Sequence, residues 1–312
     1  MRRIFCLKLT CLFITCSLYV PAATSAPAPD PPPASSASNQ ADRIIWTGRS
    51  GGYTLRWSTT EIKASATKTP NAILFSARAI AKKDFDKFNA AVVGTDDPSP
   101  PDCTYERTFT LLSVVGSLVS LRDNYYSSCT GEAHPAGETR LLTLDLAKPG
   151  QVDYDEEMDT DISNPGKVVK LTDLFPETDI VQALLADPFV RKNMLNPEIK
   201  SRPKTLEEFL NSLAMTNSEE VCLTIDNDWL TRFAFHHIEN GKIAVRLGFS
   251  GLGPCRERLT EIGLLLPIPT SLESPLALAA NAKEGFLAAD LKRIAGGHVA
   301  KMVFRTGKGA QH

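Results

Sequence analysis

The most strongly patterned part of the chain runs from Cys103 to Leu146. Residues 103–115 and 118–129 are rich in β-branched and aromatic side chains and flank Gly116-Ser117, a dipeptide that predicts a type II′ hairpin turn. If those two residues are the whole loop, Val115 faces Leu118, and counting outward sets Cys103 opposite Thr130, one residue from Cys129. The turn therefore brings Cys103 and Cys129 together. Residues 139–146 predict a third strand with one apolar face, ended by Pro149-Gly150.

Before this hairpin, residues 43–65 alternate crudely around Gly48, Gly51 and Gly52 and predict two strands joined by a glycine loop. Phe85 and Phe88 share one helical face, whereas Ile73-Leu74-Phe75 fits a strand as well as a helix. After it, residues 168–175 predict a short strand, and Pro176, Glu177 and Asp179 start a helix with Ile180, Val181, Leu184 and Leu185 as its apolar stripe. Thr205-Leu206-Glu207-Glu208 is a capping box at the start of another helix. Residues 221–225, 229–238 and 242–249 predict a three-strand meander, with Asn240-Gly241 as a type I′ turn. An apolar run over 262–268 precedes a helix that begins at Ser274-Pro275 and stops at Gly296-Gly297.

The chain ends set the compartment. Arg2, Arg3 and Lys8 precede an apolar run over 9–20 and then small residues, the pattern of a secretory signal peptide. That run is shorter than the ~20 residues of a membrane span. An alternative treats Cys16 as the lipidated residue of a lipoprotein signal. The expected organisation is a signal peptide over 1–26, a Pro/Ala/Ser tether over 27–41, a strand-rich part over 42–150, an α+β part over 151–269 and a helical tail over 270–312. Loss of Arg2, Arg3 and Lys8 with the signal takes the formal charge from −2 to −5, which argues against nucleic acid as a partner. Of seven cysteines, Cys103, Cys129, Cys222 and Cys255 remain after the signal segment; two disulfides, Cys103 with Cys129 and Cys222 with Cys255, are expected. The fold class predicted is α+β, with antiparallel sheets and helices packed on one side.

Candidate chemistry is sparse. No two of the four cysteines are spaced for zinc. The acidic run over 153–161 has Met158 and Asn164 where a calcium loop needs Gly and Glu. His236 and His237 are neighbours on a predicted strand, so regular alternation sends them to opposite faces and denies them a shared metal ion. Ser65-Ala66-Thr67-Lys68 is followed by Pro70, which spoils the helix an acylase would need, and no Gly-x-Ser-x-Gly or His-Glu-x-x-His occurs. Neither a metal nor another cofactor is expected. His134, between Gly131 and Pro135 at the end of a disulfide-pinned strand, is the one histidine in an unusual setting.

A strand ending in aromatics, then Gly131-Glu132-Ala133-His134-Pro135, a strand over 139–146, and Val169-Lys170-Leu171-Thr172-Asp173-Leu174-Phe175 together resemble the extracytoplasmic domain shared by the lysozyme-sensing anti-sigma factor RsiV and the C-terminal region of the peptidoglycan deacetylase PdaC. That family typically has Gly-Gly-Ala-His-Pro, so Glu132 departs from it, and this chain carries neither an anti-sigma segment nor a deacetylase domain. The resemblance spans roughly Trp46 to Pro269. It implies a non-enzymatic, periplasmic or secreted binding domain whose ligand is a peptidoglycan fragment or a lysozyme-like protein, with Glu132, His134, Pro135 and Asp173 as candidate ligand-binding residues. The alternatives are a peptidoglycan-directed hydrolase that uses His134 with an acid such as Asp173, and a lysozyme-type inhibitor.

Overall fold

Where the pattern is most regular, the backbone follows it. The computed structural model describes residues 42–93, 101–131, 135–148, 166–198, 201–213, 225, 228–250 and 259–306, all within the unit Asp42–His312. The described residues form an α+β fold of three antiparallel sheets and a few helices. Strands β1 (Ile44–Ser50), β2 (Tyr53–Ser58), β3 (Ile62–Ala66) and β4 (Thr69–Ser76) make a meander in that order. Ile73-Leu74-Phe75 is thus strand, and helix α1 (Ala77–Val93) follows at once because the Ser76 hydroxyl accepts the Ala79 amide at 3.1 Å.

Strands β5 (Cys103–Val115) and β6 (Leu118–Cys129) form the expected hairpin, with Gly116 at φ 59° as a II′ turn requires. Val115 pairs with Leu118, yet Cys103 pairs with Cys129 rather than Thr130, because a bulge between Leu111 and Ser113 absorbs one residue. The two cysteines are joined by a disulfide. Strand β7 (Ala136–Asp145) pairs with β6, and the two-residue β8 (Lys167–Val168) pairs with the far end of β7.

A second group of elements follows β8. Helices α2 (Glu177–Ala186), α3 (Pro188–Asn193) and α4 (Leu206–Asn211) precede the meander of β9 (Phe233–Glu239), β10 (Lys242–Ser250) and β11 (Leu259–Pro267). The third strand of this meander is Leu259–Pro267, not residues 221–225, of which only Ile225 lies within the described residues. Asn240 (φ 50°) and Gly241 (φ 72°) make the I′ turn. Helix α5 (Thr270–Ala280) starts four residues before Ser274 and carries Pro275 inside it, and α6 (Leu291–Ala295) ends at Gly296, φ 55°.

The expected helical tail ends differently. Ala300–Arg305 is strand β12, added to the outer edge of β5, with buried Ala300 and Met302 opposite Phe109 and Arg107. The divisions expected at 150 and 269 therefore do not separate sheets: β8 and β12 both pair with strands that precede residue 150. Strand edges carry unpaired amides, and distant segments satisfy them.

Beside a small third cluster of Leu112, Leu141 and Ala234, two large apolar cores result among the described residues. One lies among β1–β4, α1, the central sheet and α6, and holds Trp57, Phe75, Phe109, Leu121 and Phe286. The other joins α2–α5 to β9–β11 around Leu184, Phe209, Trp229, Phe235, Phe249 and Leu264. Rather than collecting on one side, the helices divide between the two cores, because each sheet has its own apolar face to cover. Cys222 and Cys255, the expected second disulfide, lie outside the described residues. No helix among the described residues is long and apolar enough to cross a membrane.

Candidate functional site

The expected corner is built by β5 and β6 at their disulfide end. Glu132 and His134 lie outside the described residues; Pro135 is exposed immediately before β7. The Thr130 amide donates to Asp102 O at 2.9 Å, and Thr306, just past β12, accepts the Cys103 amide on its hydroxyl at 2.8 Å and returns its own amide to Cys103 O. A hollow of about 270 Å³ opens there, lined by Asp102, Thr104, Ser128, Thr130 and Arg305.

Asp173 is not part of this corner. It closes the 3-10 turn Leu171–Asp173, where its carboxylate accepts the Lys170 amide at 3.0 Å. β8, which leads into this turn, pairs with Leu144 and Asp145 at the end of β7, whereas Pro135 immediately precedes its first residue, Ala136. The side chain is thus employed in capping.

A second cavity lies elsewhere among the described residues, in a groove of about 940 Å³ between α2 and the β11 edge. Helix α2 turns Val181 and Leu185 inward against β11, as its apolar stripe predicts, and exposes Gln182 at the groove. Gly263, Leu265 and Pro267 of β11 form the facing wall, with Leu265 43% exposed. Arg202 and Lys204 arrive on the segment before α4, held there because Thr205 caps the Glu208 amide while the Glu208 carboxylate accepts the Lys204 amide at 2.7 Å. Lys242 enters from the start of β10. All three cations are exposed, and none forms an ion pair with a carboxylate among the described residues. Asp179 and Asp187 also line the groove, and Asp187 spends its carboxylate on the Val190 amide at 3.0 Å. Sequence reasoning missed the groove: the α2 stripe and the capping box were both legible, but not that β11 would run alongside them.

The adjacent histidines also need correction. Opposite Ala244 and Val245 the β9 register shifts, so that Val245 pairs with Phe235 and Ala244 with His237, leaving His236 as an extra residue. A bulge of this kind cancels alternation. Both rings fall on one face, His236 Nδ1 to His237 Nδ1 at 2.7 Å, with His237 Nε2 3.4 Å from a Glu239 carboxylate oxygen. Burial, then the Arg246 guanidinium and His237, hold the His236 imidazole below the ordinary histidine value, while Glu261 pulls the other way. Glu261 is itself paired with Arg122 of β6. The signal was present in the sequence: Phe235 and Ile238 are three apart, a slip of one residue in an otherwise alternating strand.

Comparison with protein-family models, with curated proteins and with solved structures finds no match for this chain.

Proposed function

We propose that this chain is a non-enzymatic, exported binding protein of the cell envelope, and that the α2–β11 groove receives an extended, carboxylate-bearing wall fragment. The carrying observation is the groove itself: exposed Arg202, Lys204 and Lys242 stand without ion-pair partners among the described residues around Leu185, Leu265 and Pro267. Its volume falls within the 300–1,000 Å³ usual for ligand sites, whereas the hollow at the disulfide corner falls just below. Apolar walls with a few charged groups suit a ligand with a sugar or alkyl body and carboxylate ends, which peptide-substituted glycan provides. Support for an exported protein comes from the signal-peptide pattern and from the Cys103–Cys129 disulfide, which persists in an oxidising compartment. The resemblance to the RsiV and PdaC extracytoplasmic domain agrees with a wall ligand. A hydrolase built on His134 and Asp173 gains no support from Asp173, whose carboxylate accepts the Lys170 amide.

The test is equilibrium binding of soluble, fluorescently labelled muropeptides to the full chain and to the triple variant Arg202→Glu/Lys204→Glu/Lys242→Glu. With roughly 0.5 kcal/mol per exposed charge contact, the triple reversal weakens binding by at least about tenfold, and added salt weakens the wild type. Unchanged affinity in the variant, or no binding by the wild type, rejects the groove. Cleavage of the labelled ligand would move the protein to the hydrolase class, and co-elution with lysozyme on gel filtration would make it an inhibitor.

A further inference from the structure

We infer that His236 and His237 form an open two-imidazole site for a first-row transition ion, copper(II) in particular, with Glu239 positioning one of the rings. The site is separate from the groove and stands or falls independently of it. Its origin is the β9 bulge: without the extra residue, His237 would point into the core alongside Phe233 and Phe235, and the two rings could not meet.

The distance chooses the geometry. Two nitrogens bound to one ion at ~2.0 Å lie about 2.8 Å apart when they are cis in a tetragonal field, and about 3.3 Å apart in a tetrahedral one. The observed Nδ1···Nδ1 separation of 2.7 Å, spanned by a hydrogen bond between the rings, is close to the first and well short of the second. Tetragonal nitrogen and oxygen coordination is the habit of copper(II), which also binds most tightly in the divalent series. Calcium and magnesium require oxygen donors, and a structural zinc requires four protein ligands. Among the described residues no third His, Cys, Asp or Glu joins the pair, so water or an incoming ligand completes the coordination.

Glu239 is the second, independent observation. Its carboxylate stands 3.4 Å from His237 Nε2, on the far side of the ring from Nδ1. A carboxylate there can orient the ring through its second nitrogen, as such partners do behind metal-bound histidines. Each imidazole must present its Nδ1 lone pair to the ion, so binding replaces the hydrogen bond between the two rings. Arg246 and Glu261 bring opposite charges near His236, the Arg246 effect being the larger, and Glu261 is shared with Arg122.

Titration of the full chain with copper(II) at neutral pH, followed by calorimetry and continuous-wave EPR, tests the site. The expected result is one tight equivalent with a tetragonal spectrum and two imidazole nitrogens, weakened by at least about tenfold in His236→Ala and in His237→Ala. Glu239→Gln gives a smaller loss, and His298→Ala, whose ring contacts Arg43, leaves binding unchanged. Tight binding that survives in the double variant, or a wild type that binds no better than the double variant, overturns the assignment. Should the alanine variants fold poorly, copper-induced broadening of the wild-type histidine ring resonances decides: loss of the His236 and His237 signals first supports the site, and uniform broadening of all rings refutes it.

Discussion

Arg107 is the residue on which one core most directly depends. It is fully buried on β5, with its guanidinium 5.1 Å above the Phe109 ring. It donates two hydrogen bonds to Asp123, at 2.9 and 2.6 Å, and contacts Asp84 of α1; Arg140 of β7 reaches Asp123 from the other side at 3.4 Å. Asp123 is thus held by two arginines. Arg107→Met roughly keeps the volume but removes the Arg107 partner from Asp84 and from Asp123, the latter at 1% exposure. Losing one partner of such a buried pair costs about 3–5 kcal/mol, several times the worth of a surface pair.

The pH dependence gives this prediction a sign. In the wild type, burial alone would raise the Asp123 carboxyl, but Arg107, by charge and by hydrogen bonds, and then Arg140 hold it below the ordinary range. That contribution is therefore present above pH ~4 and lost as pH falls through the depressed value. In Arg107→Met the burial is opposed by Arg140 alone, the carboxyl moves up, and protonation relieves the strain. Urea unfolding followed by tryptophan fluorescence should show the cost at pH 7 shrinking toward pH 5, and Asp84→Asn in the same chain should recover part of it. A cost below about 1 kcal/mol, or one that is equal at the two pH values, would refute the charge-balance reasoning.

Two further outcomes bear on the architecture. Cys103 and Cys129 close a loop with a sequence separation of 26, for which chain entropy gives a stabilisation of about 3.5 kcal/mol; Cys103→Ser/Cys129→Ser should lower the urea midpoint accordingly, and an unchanged midpoint would deny the staple a role. Truncation after Gly297 removes β12, strips the β5 edge and exposes the surface that buried Ala300 and Met302 cover, so the shortened chain should melt earlier and self-associate on gel filtration. A monomeric product of unchanged melting temperature would show that the strand is dispensable.

What the sequence determined by itself was local. Gly116-Ser117 and Asn240-Gly241 dictate their turns because only certain residues accept positive φ, Thr205 and Glu208 cap a helix within one turn of chain, and the hairpin brings Cys103 to Cys129. The tertiary structure decided wherever one segment had to match another far away. A single extra residue at Leu112 or at His236 leaves composition untouched yet resets which face every later side chain occupies, and whether the pairing absorbs it depends on the partner strand and the core behind it. The same holds for residues 300–305, whose short pattern has no fixed conformation until the β5 edge offers it hydrogen bonds, and for the groove, whose walls come from α2, β10, β11 and the segment before α4. Backbone preferences act over a few residues, whereas edges and cores are satisfied across the whole fold; sequence therefore set the turns and caps, and packing set the site.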